Sequence, residues 1–176
     1  MQNIKSFNFN ELKLFAFYLG GKVDGCNIEM HDVVFVVGES NEDVLPQVKQ
    51  KWIGTERSLH VDSFVVLENI DGFDIKITHQ KTYNNSPGLY FVNLGSYTKD
   101  KFGENHFMNF CIAKSKSEAV EITKKIVPQS EDMIHGDNIY DIDDCIRLDS
   151  VDNYYIDIKQ SINKPNPISI NGYQKI

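Results

Sequence analysis

The strongest constraint on this chain is an internal repeat. Residues 14–77 and 89–158 read as two diverged copies of one segment. Leu14, Gly20, Glu29, His31, Phe35, Ser40, His60 and Asp62 are matched by Leu89, Gly95, Glu104, His106, Phe110, Ser115, His135 and Asp137. These pairs stand 75 residues apart; towards the end of each copy the interval grows to 81, as between Phe73 and Tyr154. Six added residues are therefore expected around Tyr140–Leu148, in the leading strand of a second hairpin. Segments this short bury too little surface to be secure alone. The two copies are expected to share a core or to pack tightly.

Each copy predicts strand, loop, strand, helix, loop and hairpin. The first strand is Leu14–Leu19 (Leu89–Leu94 in the second copy), ended by Gly20-Gly21 or Gly95-Ser96. Val33–Val37 is apolar throughout, the pattern of a strand buried on both faces, and Met108–Ala113 is its less uniform partner. A helix follows each. Ser115 with Glu118 fits a capping box, in which the Ser oxygen accepts a free N–H and the Glu reaches back. Ser40 with Asp43 is a weaker version, and Pro46 places the first helix start nearer Asp43. The helices present Leu45, Val48 and Trp52, and Val120, Thr123 and Val127, with Ala119, Ile122 and Ile126 widening the second stripe. Asp71-Gly72 signals a type I′ hairpin turn, with Asp152-Asn153 in its place in the second copy. Beyond the turn, Phe73, Ile75 and Ile77 alternate with polar residues, as do Tyr154, Ile156 and Ile158.

The resulting expectation is an α+β protein of two tandem ββαββ modules, mainly antiparallel sheets each with one helix on a face, related by a pseudo-two-fold axis. The boundaries are an N-terminal extension 1–13, a first module 14–78, a linker 79–88, a second module 89–159 and a tail 160–176, in which Asn171-Gly172 suits a small added hairpin and Pro165 and Pro167 suit a loose segment as the alternative.

A net charge of −7 argues against general nucleic-acid binding, which requires a positive surface to neutralise phosphates. The longest apolar run is far too short to span a membrane, and no secretory leader is legible. Cys26, Cys111 and Cys145 are odd in number, form no C-x-x-C and do not repeat. A reducing, cytoplasmic setting is the expectation.

The repeat also filters the chemistry. Four of the five histidines fall at paired positions, accompanied by two acids in each copy: Glu29, His31, His60 and Asp62, then Glu104, His106, His135 and Asp137. Residues two apart on a strand share a face. Glu29 and His31 thus stand at the leading edge of the face of Val33, Phe35 and Val37, and His60 and Asp62 stand at the start of the third strand. Imidazole and carboxylate together can ligate a divalent ion or act as acid and base. They can equally pin a loop by hydrogen bonds. No H-E-x-x-H, G-x-G-x-x-G, P-loop or G-x-S-x-G pattern accompanies them. The residues therefore favour a clasp over a catalytic or metal centre, with no cofactor indicated.

The first copy resembles the uncharacterised bacterial family catalogued as domain of unknown function number 1543. Phe17-Tyr-Leu-Gly-Gly21, Asn27-Ile-Glu-Met-His-Asp32, Phe35-Val-Val-Gly-Glu39 and Leu59-His-Val-Asp-Ser63 carry the resemblance. The second copy departs from it at Ser96, Phe107 and Ala113. The resemblance implies one or two copies of the domain in a chain, and it supplies no catalytic residues. A working site, if the family pattern marks one, belongs to the first half. The leading functional expectation is a non-enzymatic binding or interaction module for a small ligand or protein partner. The rivals are a metal-dependent or acid–base enzyme using the Glu-x-His and His-x-Asp pairs, and a structural homodimer subunit.

Overall fold

The computed structural model describes residues 5–81, 87–98, 100–127, 141–162 and 167–176, with the backbone alone of 141–143. Its strands are β1 (Asn8–Gly21), β2 (Met30–Ser40), β3 (His60–Val66), β4 (Asn69–Ile70), β5 (Phe73–Thr78), β6 (Gly88–Tyr97), β7 (Glu104–Ala113), β8 (Asp141–Arg147), β9 (Ser150–Val151), β10 (Tyr154–Gln160) and β11 (Ile168–Lys175). Helix α1 (Leu45–Lys51) lies between β2 and β3, and α2 (Lys116–Ile126) between β7 and β8. All described pairings are antiparallel, so the architecture is α+β with a strand majority. The chain divides into two compact units: Met1–Thr82 with Ser150–Ile176, and Tyr83–Asp149.

In the first unit a four-stranded sheet runs β11-β3-β1-β2. Alternation along β1 decides its two faces. Phe15, Phe17 and Leu19 point to one side and pack with Val34, Val36, Val61, Phe64 and Val66 beneath Val44, Val48 and Trp52. Tyr18 and Gly20 have the opposite parity and lie on the face turned away from α1. Helix α1 begins at Leu45 with Pro46 in its first turn, where the missing N–H does no harm. Ser40 still acts as expected: its Oγ accepts from Asp43 N–H at 3.0 Å, closing the turn that precedes the helix. Trp52 lies just past the helix, buried between Gly21 and Gly54; a Cβ at either glycine would stand within 3 Å of the indole.

One irregularity positions the site. The β1–β3 register steps from Tyr18↔Ser63 to Leu19↔Val61, which leaves Asp62 as the extra residue of a β-bulge. In a regular strand Val61 and Phe64, three apart, would face opposite sides. The bulge lets both enter the core and frees Asp62 from direct pairing.

The sequence reading places each hairpin in the sheet of the strands before it. Instead, the hairpins form a sheet of their own, β4-β5-β10-β9, and the fourth strand beside β3 is β11. The physical reason is the alternation already noted: β5 and β10 each carry an isoleucine stripe, and their register sets Ile75 opposite Ile158 and Ile77 opposite Ile156. Asp71 and Gly72 both take positive φ, as a type I′ turn requires. The 171–174 stretch is no separate hairpin; it is a register shift within β11.

The second unit is a three-stranded sheet, β7-β6-β8, with α2 over Tyr90, Val92, Leu94, Cys111 and Cys145. Its N-cap is formed: Ser115 Oγ accepts from Glu118 N–H at 3.2 Å, while the Glu118 carboxylate accepts from Lys114 N–H, one residue before the cap. Val120 and Thr123 are buried as expected, whereas Ile126 is exposed. The β6–β8 register steps from Asn93↔Asp144 to Leu94↔Ile142. Gly20 faces His60, and Gly95 faces Asp141.

Candidate functional site

Gly20 is the floor of the site. It pairs with His31 on β2 and with His60 on β3, so both imidazoles rise from the same cross-strand row and the same face. A Cβ on Gly20 would stand 2.5 Å from His60 Nε2, 2.9 Å from its Cε1 and 3.0 Å from Asp62 Oδ2. Only glycine leaves the imidazole that room.

His60 is the fixed member, with 7% of its side chain exposed. Its Nδ1 lies 3.0 Å from the carbonyl oxygen of Ser58. A carbonyl can only accept, so Nδ1 carries the proton and Nε2 is turned to the site. The Tyr173 ring, delivered by the shifted register of β11, packs at 4.6 Å from the imidazole. Nε2 stands 3.5 Å from Glu29 Oε1 and 3.5 Å from Asp62 Oδ1. The other oxygen of Asp62 lies 3.5 Å from His31 Nε2, and His31 stacks on Tyr18 at 5.2 Å. The result is a chain of alternating groups, Glu29–His60–Asp62–His31. Glu29, His31 and Asp62 keep 45, 38 and 31% of their side chains exposed. Burial, then the Asp62 charge, pushes the Tyr18 phenol above its usual range.

All four candidate residues of the first unit therefore meet, although about thirty residues separate the two pairs in sequence. In the second unit Glu104 opens β7 opposite Tyr97, and His106 faces Gly95, with its Nδ1 3.4 Å from Asn93 Nδ2. His135 and Asp137 lie outside the described residues. The backbone position that faces Gly95 belongs to Asp141, and the bulge residue is Asp143.

Sequence reasoning did not single out Tyr18, Gly20 or Tyr173 for the site. Tyr18 and Gly20 were within reach, because they share parity on β1. Tyr173 was not, since nothing local tells a tail strand which edge it will join.

These features define a class: an α+β protein with a solvent-open imidazole–carboxylate cluster at one end of an antiparallel sheet. Residues 26–77 match the family described as Domain of Unknown Function (DUF1543). The chain is also similar to a protein of known crystal structure, Il1583 from Idiomarina loihiensis, at 36% identity and a TM-score of 0.69, over 93% of this chain and 97% of that one. No curated protein matches. Among the described residues no helix is long and apolar enough to cross a membrane.

Proposed function

We propose that this chain is a non-enzymatic binding module whose Glu29–His31–His60–Asp62 cluster takes a cationic ligand. The observation that carries this reading is the convergence of two carboxylates and two imidazoles over a glycine whose missing Cβ keeps the space beside His60 Nε2 clear. With neutral imidazoles such a cluster is net negative, and Tyr18 and Tyr173 pack on its two imidazole rings. A thermal-shift screen with divalent ions, methylammonium and guanidinium tests it, because a ligand of the native state raises its apparent stability. The expected result is a rise in melting temperature for wild type that Asp62→Asn abolishes.

We further propose a tandem duplication. Its support is the shared strand order β3-β1-β2 and β8-β6-β7, with a bulge at the matching place in β3 and β8. On this reading the second copy has kept His106 and Glu104 but carries aspartates where the first has His60 and Asp62. The reducing, cytoplasmic setting remains our reading. It is supported by the three cysteines of the sequence, which are odd in number and form no C-x-x-C.

A further inference from the structure

We infer that the ligand of this cluster is a primary ammonium group, whose three N–H donors are shared among His60 Nε2, Glu29 Oε1 and Asp62 Oδ1. The inference rests on the binding reading above and narrows it to one ligand chemistry.

The first support is an excess of acceptors. Nδ1 of His60 is committed as a donor to the Ser58 carbonyl, so Nε2 turns a lone pair to the site. The groups facing that lone pair are two carboxylate oxygens, each 3.5 Å away. Charge-assisted hydrogen bonds close to about 2.7–2.9 Å, so these atoms face one another across a gap. Three acceptors surround one point with no donor among them. The side chain that carries Nε2 is only 7% exposed, and a buried acceptor left without a donor is costly.

The second support is uncompensated charge. Among the described residues neither Glu29 nor Asp62 pairs with a lysine or arginine; their ion-pair contacts are to imidazoles alone. The basic residue on the same cross-strand row is Lys175, opposite His60 on β11. The strand order β11-β3-β1-β2 sets Lys175 on the far side of His60 from Gly20, whereas Nε2 leans over Gly20. Lys175 therefore starts from behind the ring, away from the three acceptors.

The donor count then selects the ligand. Among the described residues no three His, Cys, Asp or Glu side chains form a group that could hold a metal ion, and Asp62 gives a separate oxygen to each imidazole. Acceptors spread in this way suit a cation that carries its own directed donors. A primary ammonium has three donors and no acceptor, one donor for each of Nε2, Oε1 and Oδ1. A nitrogen seated over Nε2 and a carboxylate oxygen 3.5 Å from it can lie about 2.7–2.9 Å from both. His31 is a positioning residue: its Nε2 lies by the second oxygen of Asp62, which leaves the first for the ligand. The missing Cβ of Gly20 keeps the space beside Nε2 clear, and the exposure of Glu29 and Asp62 lets the carbon chain of the amine emerge to solvent. A quaternary ammonium has the charge without the donors and does not fit.

The test is an NMR titration of full-length protein carrying 15N-labelled histidine, near pH 8, with methylammonium chloride as the probe. The expected result is His60 as the Nδ1–H tautomer and a saturable shift of its Nε2 signal, with no shift from tetramethylammonium or sodium chloride at the same concentration. Glu29→Gln and Asp62→Asn change partly exposed side chains and should still fold; each removes a charged acceptor and should weaken binding about tenfold. His79→Ala, on an exposed residue outside the cluster, should leave it unchanged. Titration with Nα-acetyl-lysine methylamide identifies the source of the ammonium: its binding supports a lysine side chain, and binding of methylammonium alone supports a small free amine. No saturable methylammonium binding, equal binding of tetramethylammonium, or a proton on Nε2 in the free protein overturns the inference. If methylammonium fails while guanidinium or a divalent ion raises the melting temperature of wild type and not of Asp62→Asn, the ammonium assignment falls and the binding reading stands. If none of these cations binds, both fall.

Discussion

Gly20→Ala is the sharpest test of how the site is built. The added carbon would lie 2.5 Å from His60 Nε2, 2.9 Å from Cε1 and 3.0 Å from Asp62 Oδ2. Favourable carbon contacts begin at about 3.5 Å, so the overlap is about 1 Å. The imidazole has little freedom to retreat: it is buried, its Nδ1 is tied to Ser58, and Tyr173 packs against it. Overpacking of this kind costs about 1–3 kcal/mol. Alanine recovers about 0.5–1 kcal/mol over glycine in a strand interior. The net expectation is a loss of roughly 0.5–2 kcal/mol, or a fall of a few degrees in melting temperature. Trp52 is the single tryptophan and lies buried under the same sheet, so its fluorescence during urea unfolding reports this unit. The decisive measurement is the same substitution in a His60→Ala background. Removing the ring removes most of the overlap, so Gly20→Ala should there be neutral or mildly stabilising, with a coupling of about 1–3 kcal/mol. An equal loss in both backgrounds, or no loss in wild type, refutes the argument that Gly20 exists to make room for His60.

Deleting Asp62 should leave a folded protein without the site, because the bulge residue is the one whose loss restores regular alternation between Val61 and Phe64; deleting Phe35 from the regular part of β2 reverses every face beyond it and should abolish folding, with circular dichroism distinguishing the two. Phe17→Ala should cost about 3–5 kcal/mol in urea unfolding, since the ring is 1% exposed and stacks on Phe64 at 5.2 Å. Ser115→Ala should cost about 1 kcal/mol through loss of the α2 cap, a loss that Ser115→Asp largely avoids. The raised Tyr18 phenol makes a signed pH prediction: its stabilising contribution is complete below the unfolded value of about 10 and is lost as pH rises through the higher folded value. Tyr18→Phe should therefore flatten the alkaline decline in stability, and an unchanged decline would count against Tyr18 as its source.

Local structure was legible because its causes are local. The Ser115 cap, the Asp71-Gly72 turn, the place of Pro46 and the alternation along β5 depend on neighbours within a few residues, and each is found as read. The site was half legible. Parity put Glu29 with His31 and His60 with Asp62 in advance. The strand pairings that bring the two pairs together, β1 with β2 and β1 with β3, are long-range and leave no local mark. His135 and Asp137, the corresponding pair expected from the interval of 75, lie outside the described residues.

What the sequence alone determined is therefore the inventory: which segments are strands and helices, which faces are apolar, and which polar side chains share a face with them. These follow from backbone geometry and side-chain periodicity, which act over a few residues. Tertiary structure decided the assignments of partner to partner. It gave the edge of β3 to β11, gave the isoleucine stripe of β5 to β10, and used one bulge to turn Asp62 between two histidines. Those choices depend on burial and register summed over whole strands. A shift of one residue leaves the local sequence signals unchanged while reversing every face, so only the packed structure distinguishes the alternatives.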